Sequence, residues 1–465
     1  MTETTTRSHA GTATTSGEAS RDFRENSKRG RPVDLRRLDL AAVRAMLRTR
    51  HPEMQIEAVR VLQRARCGDG VASTADRLSL GLRYPGGANP LPERMILKTL
   101  LLHPALRFGL PAILGLSRAA RAAESLPLVG RAARSLLFVL VGLYQRLYPH
   151  APDAMYLTEV RFYGELRTEL QIEAPRCFGS LFEQRTRQFG VLMEDLGQRS
   201  ARFPDATEEL PIAQLKKLLS NLAALHAHFW KSPRLDRELA WVPTRLEGGM
   251  FPVFDGIGRE LIQYQVQSND FKRDLLAPLG RNVDQLWQDL WRSQRQLDQG
   301  PRTLLHGDTH IANTYLLPDG SGGLLDWQLM VRGHWANDFS YLVTTALRPE
   351  SRRRHERELL AYYLQALRAQ GVARPPRLEQ AWHDHRLAVI WGLVIGWLIT
   401  PPVNYGVDVT HANISRLVSA CLDLASFDAL DAPTIAQDAA TIAQNAATIA
   451  QNAATAPRAP EDRGS

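Results

Sequence analysis

The sequence predicts an α+β protein built in two lobes, an antiparallel sheet followed by a mainly helical half. Three observations carry this. Alternating apolar residues mark strands at Ile56–Leu62 and Leu78–Tyr84, and a third apolar run covers Met95–Leu100. Helical spacing dominates from Ile212 onward. Between these halves and the C-terminal helices lies a short strand-turn-strand stretch, Leu304 to Gln328, dense in polar residues.

Residues 1–37 are polar and rich in Thr, Ser, Gly and Arg, without an apolar core, so a disordered tail is expected rather than a secretory signal. Asp39 can cap a helix through Leu40, Val43, Met46 and Leu47, which His51-Pro52 ends. Cys67-Gly68-Asp69-Gly70-Val71-Ala72-Ser73-Thr74 joins the first two strands, and Pro85-Gly86-Gly87 turns into the third. The insertion from Leu101 to Asp153 carries Leu110–Leu116, a basic amphipathic piece around Arg118–Arg134, and the apolar run Ser135–Tyr144. That run is shorter than the ~20 residues that span a bilayer. Its two readings are extra helices packed on the lobes, or a lipid-facing cap whose Arg and Tyr flanks suit an interface.

Pro175–Ser180 leads into two further strands, the second being Phe189–Gly197. Ile212–Trp230 is an amphipathic helix with Leu215, Leu218, Leu219, Leu222, Leu225 and Phe229 on one stripe. His226 and His228 lie two apart and do not face each other, so one is expected in the core and one in solvent. Gly248–Phe254 reads as a loop and Glu260–Leu297 as one or two helices. Ser351–Gln370 is a charged helix that Pro375-Pro376 breaks. Leu387–Ile399 is apolar all round and reads as a buried helix, ended by Thr400-Pro401-Pro402. Beyond Asp431 a seven-residue repeat places Ile435, Ile442 and Ile449 on one seam, too thin for a coiled coil, so a frayed tail is expected.

Length and composition narrow the function. The 465 residues leave room for two lobes plus extras. The net charge of +8 is partly carried by scattered Arg, with no Lys/Arg run interleaved with aromatics, so no nucleic-acid partner is expected. Cys67, Cys177 and Cys421 are far apart and lack metal spacing, which suits buried thiols in a reducing, cytoplasmic setting.

The chemistry concentrates in Leu304-Leu305-His306-Gly307-Asp308-Thr309-His310-Ile311-Ala312-Asn313 and Leu324-Leu325-Asp326-Trp327-Gln328. Thr314–Leu317 reads as a strand, Pro318–Gly323 as a tight turn and Leu324-Leu325 as the returning strand. The hairpin brings Asp308, Asn313 and Asp326 to one place. One carboxylate can orient a hydroxyl and take its proton, while the amide and the second carboxylate hold magnesium. His306 is expected to pack and hydrogen-bond the loop. Asp338, inside an apolar run, is expected to accept backbone N–H groups from that loop, because a bare buried charge is costly.

The His-Gly-Asp-x-His-x-x-Asn run followed by Leu-Asp-Trp-Gln resembles the aminoglycoside phosphotransferase and choline kinase-like superfamily. The Asp-Trp-Gln variant, with Gly333 and Asp338-Phe339-Ser340-Tyr341-Leu342, looks closest to its ecdysteroid kinase-like branch. The resemblance implies a bilobal protein-kinase-like fold, with an N-lobe over 38–193 (insertion at about 101–153), a helical C-lobe over 194–430 and a low-complexity tail over 431–465. It implies ATP (or GTP) and Mg²⁺, with Asp308 as catalytic base and Asn313 and Asp326 as metal ligands. Gly68, Gly70 and Ser73 would approach the phosphates, although the third glycine of the kinase pattern is absent. Lys98 would contact phosphate and pair with Glu159, with Glu165 as fallback. Backbone at Glu194 to Leu196 would bind adenine. His310 either lines the site or supports the loop. Trp391, Trp397 and Tyr405 are candidates for an apolar acceptor wall that would favour a greasy alcohol over a polycationic aminoglycoside. Two rivals stand beside this reading: a hydrolase ligating metal through His306-x-Asp308-x-His310, and a pseudokinase that binds nucleotide without turnover.

Overall fold

The protein's structure, a computed structural model, describes residues 38–65, 75–86, 90–100, 113–117, 132, 135–140, 143, 153–184 and 188–432. The N-terminal tail, the heptad repeat, Cys67 and the turn carrying Gly68, Gly70 and Ser73 lie outside the described residues.

Five strands form one antiparallel sheet: β1 (Ala58–Ala65), β2 (Asp76–Arg83), β3 (Arg94–Thr99), β4 (Cys177–Glu183) and β5 (Gln188–Glu194), in the order β1-β2-β3-β5-β4. The alternation of β2 buries Leu78, Leu80 and Leu82 on one face, where they meet Met95 and Leu97 of β3. Helix α1 (Leu40–Leu47) covers that face with Val43, Met46 and Leu47. The Asp39 carboxylate caps it by accepting from Ala42 N–H at 2.9 Å. The opposite face carries α2 (Asp153–Arg161), whose Tyr156 stacks on Phe189 of β5 with ring centroids 4.2 Å apart. The chain then widens into a π-helical turn at Phe162–Leu166. This sheet with its lateral helix is the first lobe of a kinase-like, bilobal α+β fold.

The second lobe is built on α3 (Ile212–His228). Its apolar stripe, Leu215, Leu218, Leu219, Leu222 and Leu225, is fully buried. The segment Gly248–Phe254 is not simply a loop. A helical turn at Phe251–Val253 runs through a π-helical turn at Phe254–Gly258 into α4 (Arg259–Ser268). Three helices, not one or two, occupy the following stretch: α4, α5 (Asp270–Leu276) and α6 (Val283–Leu297). The breaks are Asn269, in extended backbone at φ −135°, and Gly280, at φ +61°. Glycine lets the neighbouring helix approach closely here: a Cβ on Gly258 would come within 2.5 Å of the Trp287 ring.

β6 (Arg302–Leu305) pairs with β9 (Val331–His334), and β7 (Thr314–Leu316) with β8 (Gly322–Leu324). Then come α7 (Ala336–Ala346), α8 (Pro349–Ala369), α9 (Leu378–Trp391) and α10 (Val407–Asp423). The apolar run Leu387–Ile399 is the end of α9 plus a π-helical stretch, Gly392–Leu398. Gly392 and Gly396 lie against the Tyr341 ring, where any side chain would collide. Cys177 and Cys421 are buried free thiols.

The described parts of the insertion rest on the helical lobe. Ile113 and Leu137 are buried against Ile257 and Leu261, and the Ser117 hydroxyl donates to the Gly256 carbonyl. Among the described residues no helix is long and apolar enough to cross a membrane. The docking of α1 on β4 depends on Gly179, where a Cβ would strike the Met46 carbonyl. Gly179→Ala is therefore expected to lower unfolding free energy by about 1–3 kcal/mol, read by urea denaturation; unchanged stability would show that α1 can shift freely.

Candidate active site

The centre of the site is the loop leaving β6. Gly307 takes φ +87°, and a Cβ there would overlap the Leu329 carbonyl oxygen, so glycine is required between His306 and Asp308. The backbone N–H groups of His306 and Gly307 donate to the two carboxylate oxygens of Asp338, at 2.7 and 2.9 Å. Asp338 lies in the first turn of α7 and is itself held from α3 and α8. His226 Nε2 lies 3.3 Å from Asp338 Oδ2, and His226 Nδ1 is 2.6 Å from the Tyr363 hydroxyl. Burial raises the Asp338 pKa, but His226 and His306 outweigh this and hold it below the usual carboxylate range.

His306 is buried with both ring nitrogens engaged. Nε2–H donates to the Leu325 carbonyl at 2.9 Å, and Nδ1 accepts from Asp308 N–H at 3.3 Å. Burial lowers its pKa, so the ring is neutral. A His306 fixed this way has no lone pair left for a metal, and no group of three His, Cys, Asp or Glu among the described residues is placed to hold one. The His306-x-Asp308-x-His310 hydrolase reading therefore has no ligand cluster in the described site.

Asn313 closes the loop by donating from Nδ2 to the Asp308 carbonyl at 2.9 Å and to Asp308 Oδ2 at 3.0 Å. Its backbone carbonyl accepts from Leu325 N–H at 3.0 Å, which brings Asp326 alongside. Asp326 takes the left-handed backbone conformation, φ +68°. Burial, reinforced by the Asp326 charge, pushes the Asp308 carboxyl up to about 7.

From the sheet side, Lys98 Nζ meets Asp326 Oδ1 at 2.8 Å and Glu159 Oε2 at 2.7 Å. Burial works against the lysine's charge, yet its two carboxylates outweigh this and raise its pKa. One ammonium cannot satisfy both acids. Glu159, fully buried, is pushed up to about 7 despite Lys98, while Asp326 is held low by it. Glu165 instead forms a bidentate pair with Arg161 at 2.6 and 2.8 Å. Trp327 stacks on Phe162 with centroids 3.8 Å apart, and its ring also meets His306. It thus wedges between α2 and the loop.

These groups border a cleft of about 360 Å³ between the lobes. Leu78, Ile96, Met193 and Leu325 give it apolar walls, and Arg77, Lys98 and Asp326 lie at its polar end. Glu194 and Leu196 form its far edge. The Glu194 side chain is turned to Arg176 N–H and Arg199. The Leu196 carbonyl accepts from Ala201 N–H at 3.1 Å.

On the other side of Asp308, His310 Nε2 stands 3.6 Å from Oδ2. Its ring is surrounded by Tyr341, Trp397 and Tyr405 at centroid distances of 5.4–5.8 Å. Burial lowers its pKa to about 4, so it is neutral. Trp391 lies apart from this cluster, under the Arg245 guanidinium at 3.8 Å. Arg245 donates to the Gly307 carbonyl at 3.3 Å and leaves its buried Nε without a partner. Lys272 is buried and donates to the carbonyls of Trp397, Leu398 and Thr400, which ties down the end of the aromatic wall.

Hard oxygen donors suit magnesium. The Asn313 amide nitrogen is committed to Asp308, so its oxygen is the free donor, and Asp326 offers a carboxylate. Sequence reasoning missed His226 as the support of Asp338, together with Tyr363, Arg77, Arg245, Tyr341 and Lys272. The Leu-His-Ala-His run hinted at His226, whereas nothing in Pro243-Thr244-Arg245 marks the arginine. Its place follows from Pro243 accepting Arg332 N–H at 2.7 Å. Asp338→Asn would turn one acceptor into a donor facing a buried N–H. It is expected to cost at least about 2 kcal/mol in chemical denaturation, and an unaltered midpoint would mean the two N–H groups find other partners.

A family model described as the phosphotransferase enzyme family matches residues 137–380, a little over half the chain, and does not single out the ecdysteroid kinase-like branch. No curated protein sequence matches. Several solved structures are similar in shape. An ethanolamine kinase of Plasmodium vivax is 11% identical, with 89% of this chain and 96% of that chain covered and a TM-score of 0.43. A choline kinase from Cryptosporidium parvum Iowa II is 12% identical, covering 79% and 89%, with a TM-score of 0.42. An aminoglycoside phosphotransferase from Streptomyces rimosus is 15% identical, covering 79% and 99%, with a TM-score of 0.32. With His-Gly-Asp and Asp-Trp-Gln both inside the matched region, the chain belongs to the phosphotransferase enzyme family, within the aminoglycoside phosphotransferase-like superfamily.

Proposed function

We propose that the protein is a small-molecule kinase that moves the γ-phosphoryl group of ATP to the hydroxyl of an uncharged, largely apolar alcohol. The observation that carries this is the contact of Lys98 with Asp326 and Glu159 in the cleft, beside the Asp308–Asn313 pair. The acceptor oxygen bonds to the γ-phosphorus, the bond to the β-phosphate oxygen breaks to release ADP, and the hydroxyl proton passes to the Asp308 carboxylate. Asn313 and Asp326 would hold magnesium, which when bound would neutralise phosphate charge. Lys98, kept in place by Glu159, binds phosphate oxygens. His306 and Asp338 hold the loop, so the rate comes from positioning and preorganised charge.

The acceptor class follows from what surrounds Asp308. His310, Trp397 and Tyr405 are apolar or neutral, and Arg245 places a positive charge next to the same loop. A cationic acceptor would meet that guanidinium with little water to screen it. An alcohol with an apolar body would not.

The decisive experiment is ATP consumption with magnesium across alcohol classes, beside Asp308→Ala. Loss of the base is expected to reduce kcat by roughly 10²–10⁴-fold while nucleotide affinity holds. Turnover that survives the substitution removes Asp308 from this role, and tight nucleotide binding without turnover on any alcohol favours a pseudokinase. Asp308 must be ionised to accept the proton. With its carboxyl at about 7, kcat/KM should rise with pH as this group loses its proton and level off above it. A flat profile across about one unit either side would contradict the assignment.

A further inference from the structure

We propose that the outer face of the insertion seats on an anionic lipid bilayer, and, resting on the kinase reading, that the acceptor hydroxyl is presented from that surface. Residues 135–140 and 143 are helical, and their inner side is fixed by Leu137 against Ile257 and Leu261. The other side is bare: Leu136, Val139 and Leu143 are 51%, 63% and 49% exposed, at a spacing of three and seven residues that makes one stripe. They are three of the eight large apolar side chains exposed among the described residues, so the stripe is a concentration rather than ordinary scatter.

Charge selects the occupant. From Leu101 to Pro152 the chain holds six arginines, no lysine and one acid, Glu124. Arg131 and Arg134 precede the stripe and Arg146 follows it. Basic residues flanking an exposed apolar helix face match an anionic leaflet, where the arginines meet headgroups and the apolar side chains enter the acyl boundary. A second copy of this chain would carry the same positive excess over Leu101 to Pro152, whereas an anionic leaflet offers the opposite charge. The location fits the chemistry. The cluster under the stripe includes Ile399, which lies in the chain between Trp397 and Tyr405 of the aromatic wall, and Val403 and Val407 just beyond are also exposed. Stripe and acceptor wall thus belong to the same end of the helical lobe.

The test is sedimentation of the full chain with vesicles of phosphatidylcholine alone or with about 30% phosphatidylglycerol, at low and high salt. The wild type should partition onto the anionic vesicles. Combined Leu136→Ser, Val139→Ser and Leu143→Ser should lower that partition about tenfold or more, with thermal stability and nucleotide binding unchanged. High salt should also weaken it. The proposal is overturned if the wild type stays in the supernatant, or if the triple variant pellets equally. It is also overturned if the stripe holds a vesicle-free dimer that the variant dissolves. Vesicle binding that follows the stripe, with no phosphorylation of any alcohol, would count against the kinase reading alone.

Discussion

The buried lysine at position 98 is the constraint on which the rest depends. It reaches Glu159 and Asp326, so one ammonium ties the sheet, the lateral helix and the helical lobe together. The three residues come from parts of the chain far apart in order. Removing two carboxylates and an ammonium from water is costly, and the geometry must be close for the pairing to offset that cost. The surroundings supply closeness. Phe162 and Trp327 stack beside the trio, and Tyr156 locks the helix to β5. Arg77 and Arg245 add positive charge around the acids, beside Asp326 and Asp308 respectively.

A second buried carboxylate has the opposite task. Asp338 is satisfied on every side by the chain itself, through two backbone N–H groups and His226. Its bonds shape the loop, and Gly307 permits the turn. His306 then links this loop to Leu325, while Asn313 links it to Asp308 and to Leu325. The result is that Asp308 needs no rearrangement of its own backbone to be presented. Burial and a neighbouring acid push its carboxyl up to about 7, which suits the proposed role of base.

Much of this was legible in the residue order because the chemistry is local. His306 to Asn313 and Asp326 to Gln328 lie on one hairpin, and its turn residues dictate the return. Alternation exposed β1 and β2, and the leucine stripe of α3 fixed its buried face. Where expectation and structure diverge, tertiary packing is the cause. Gly248 to Phe254 read as a loop, yet a helical turn at Phe251–Val253 leads into a π-helical turn, where Leu114 and Trp287 pack against Gly256 and Gly258. Asn269 and Gly280 divide what looked like one or two helices into three. Of His226 and His228 one was expected in the core; it is His226, and its ring also braces Asp338.

The sequence by itself determined the family and the two-lobed α+β plan, and put forward Asp308, Asn313, Asp326 and Lys98 as candidates, because those rest on residue type and on motifs in the chain. Only the tertiary structure decided that Arg245 lies beside the Gly307 carbonyl and over Trp391, that Lys272 anchors the aromatic wall, and that the insertion leaves one side of a helix bare. Those placements arise from contacts between segments tens to hundreds of residues apart, where long-range packing, rather than local propensity, selects which side chain meets which.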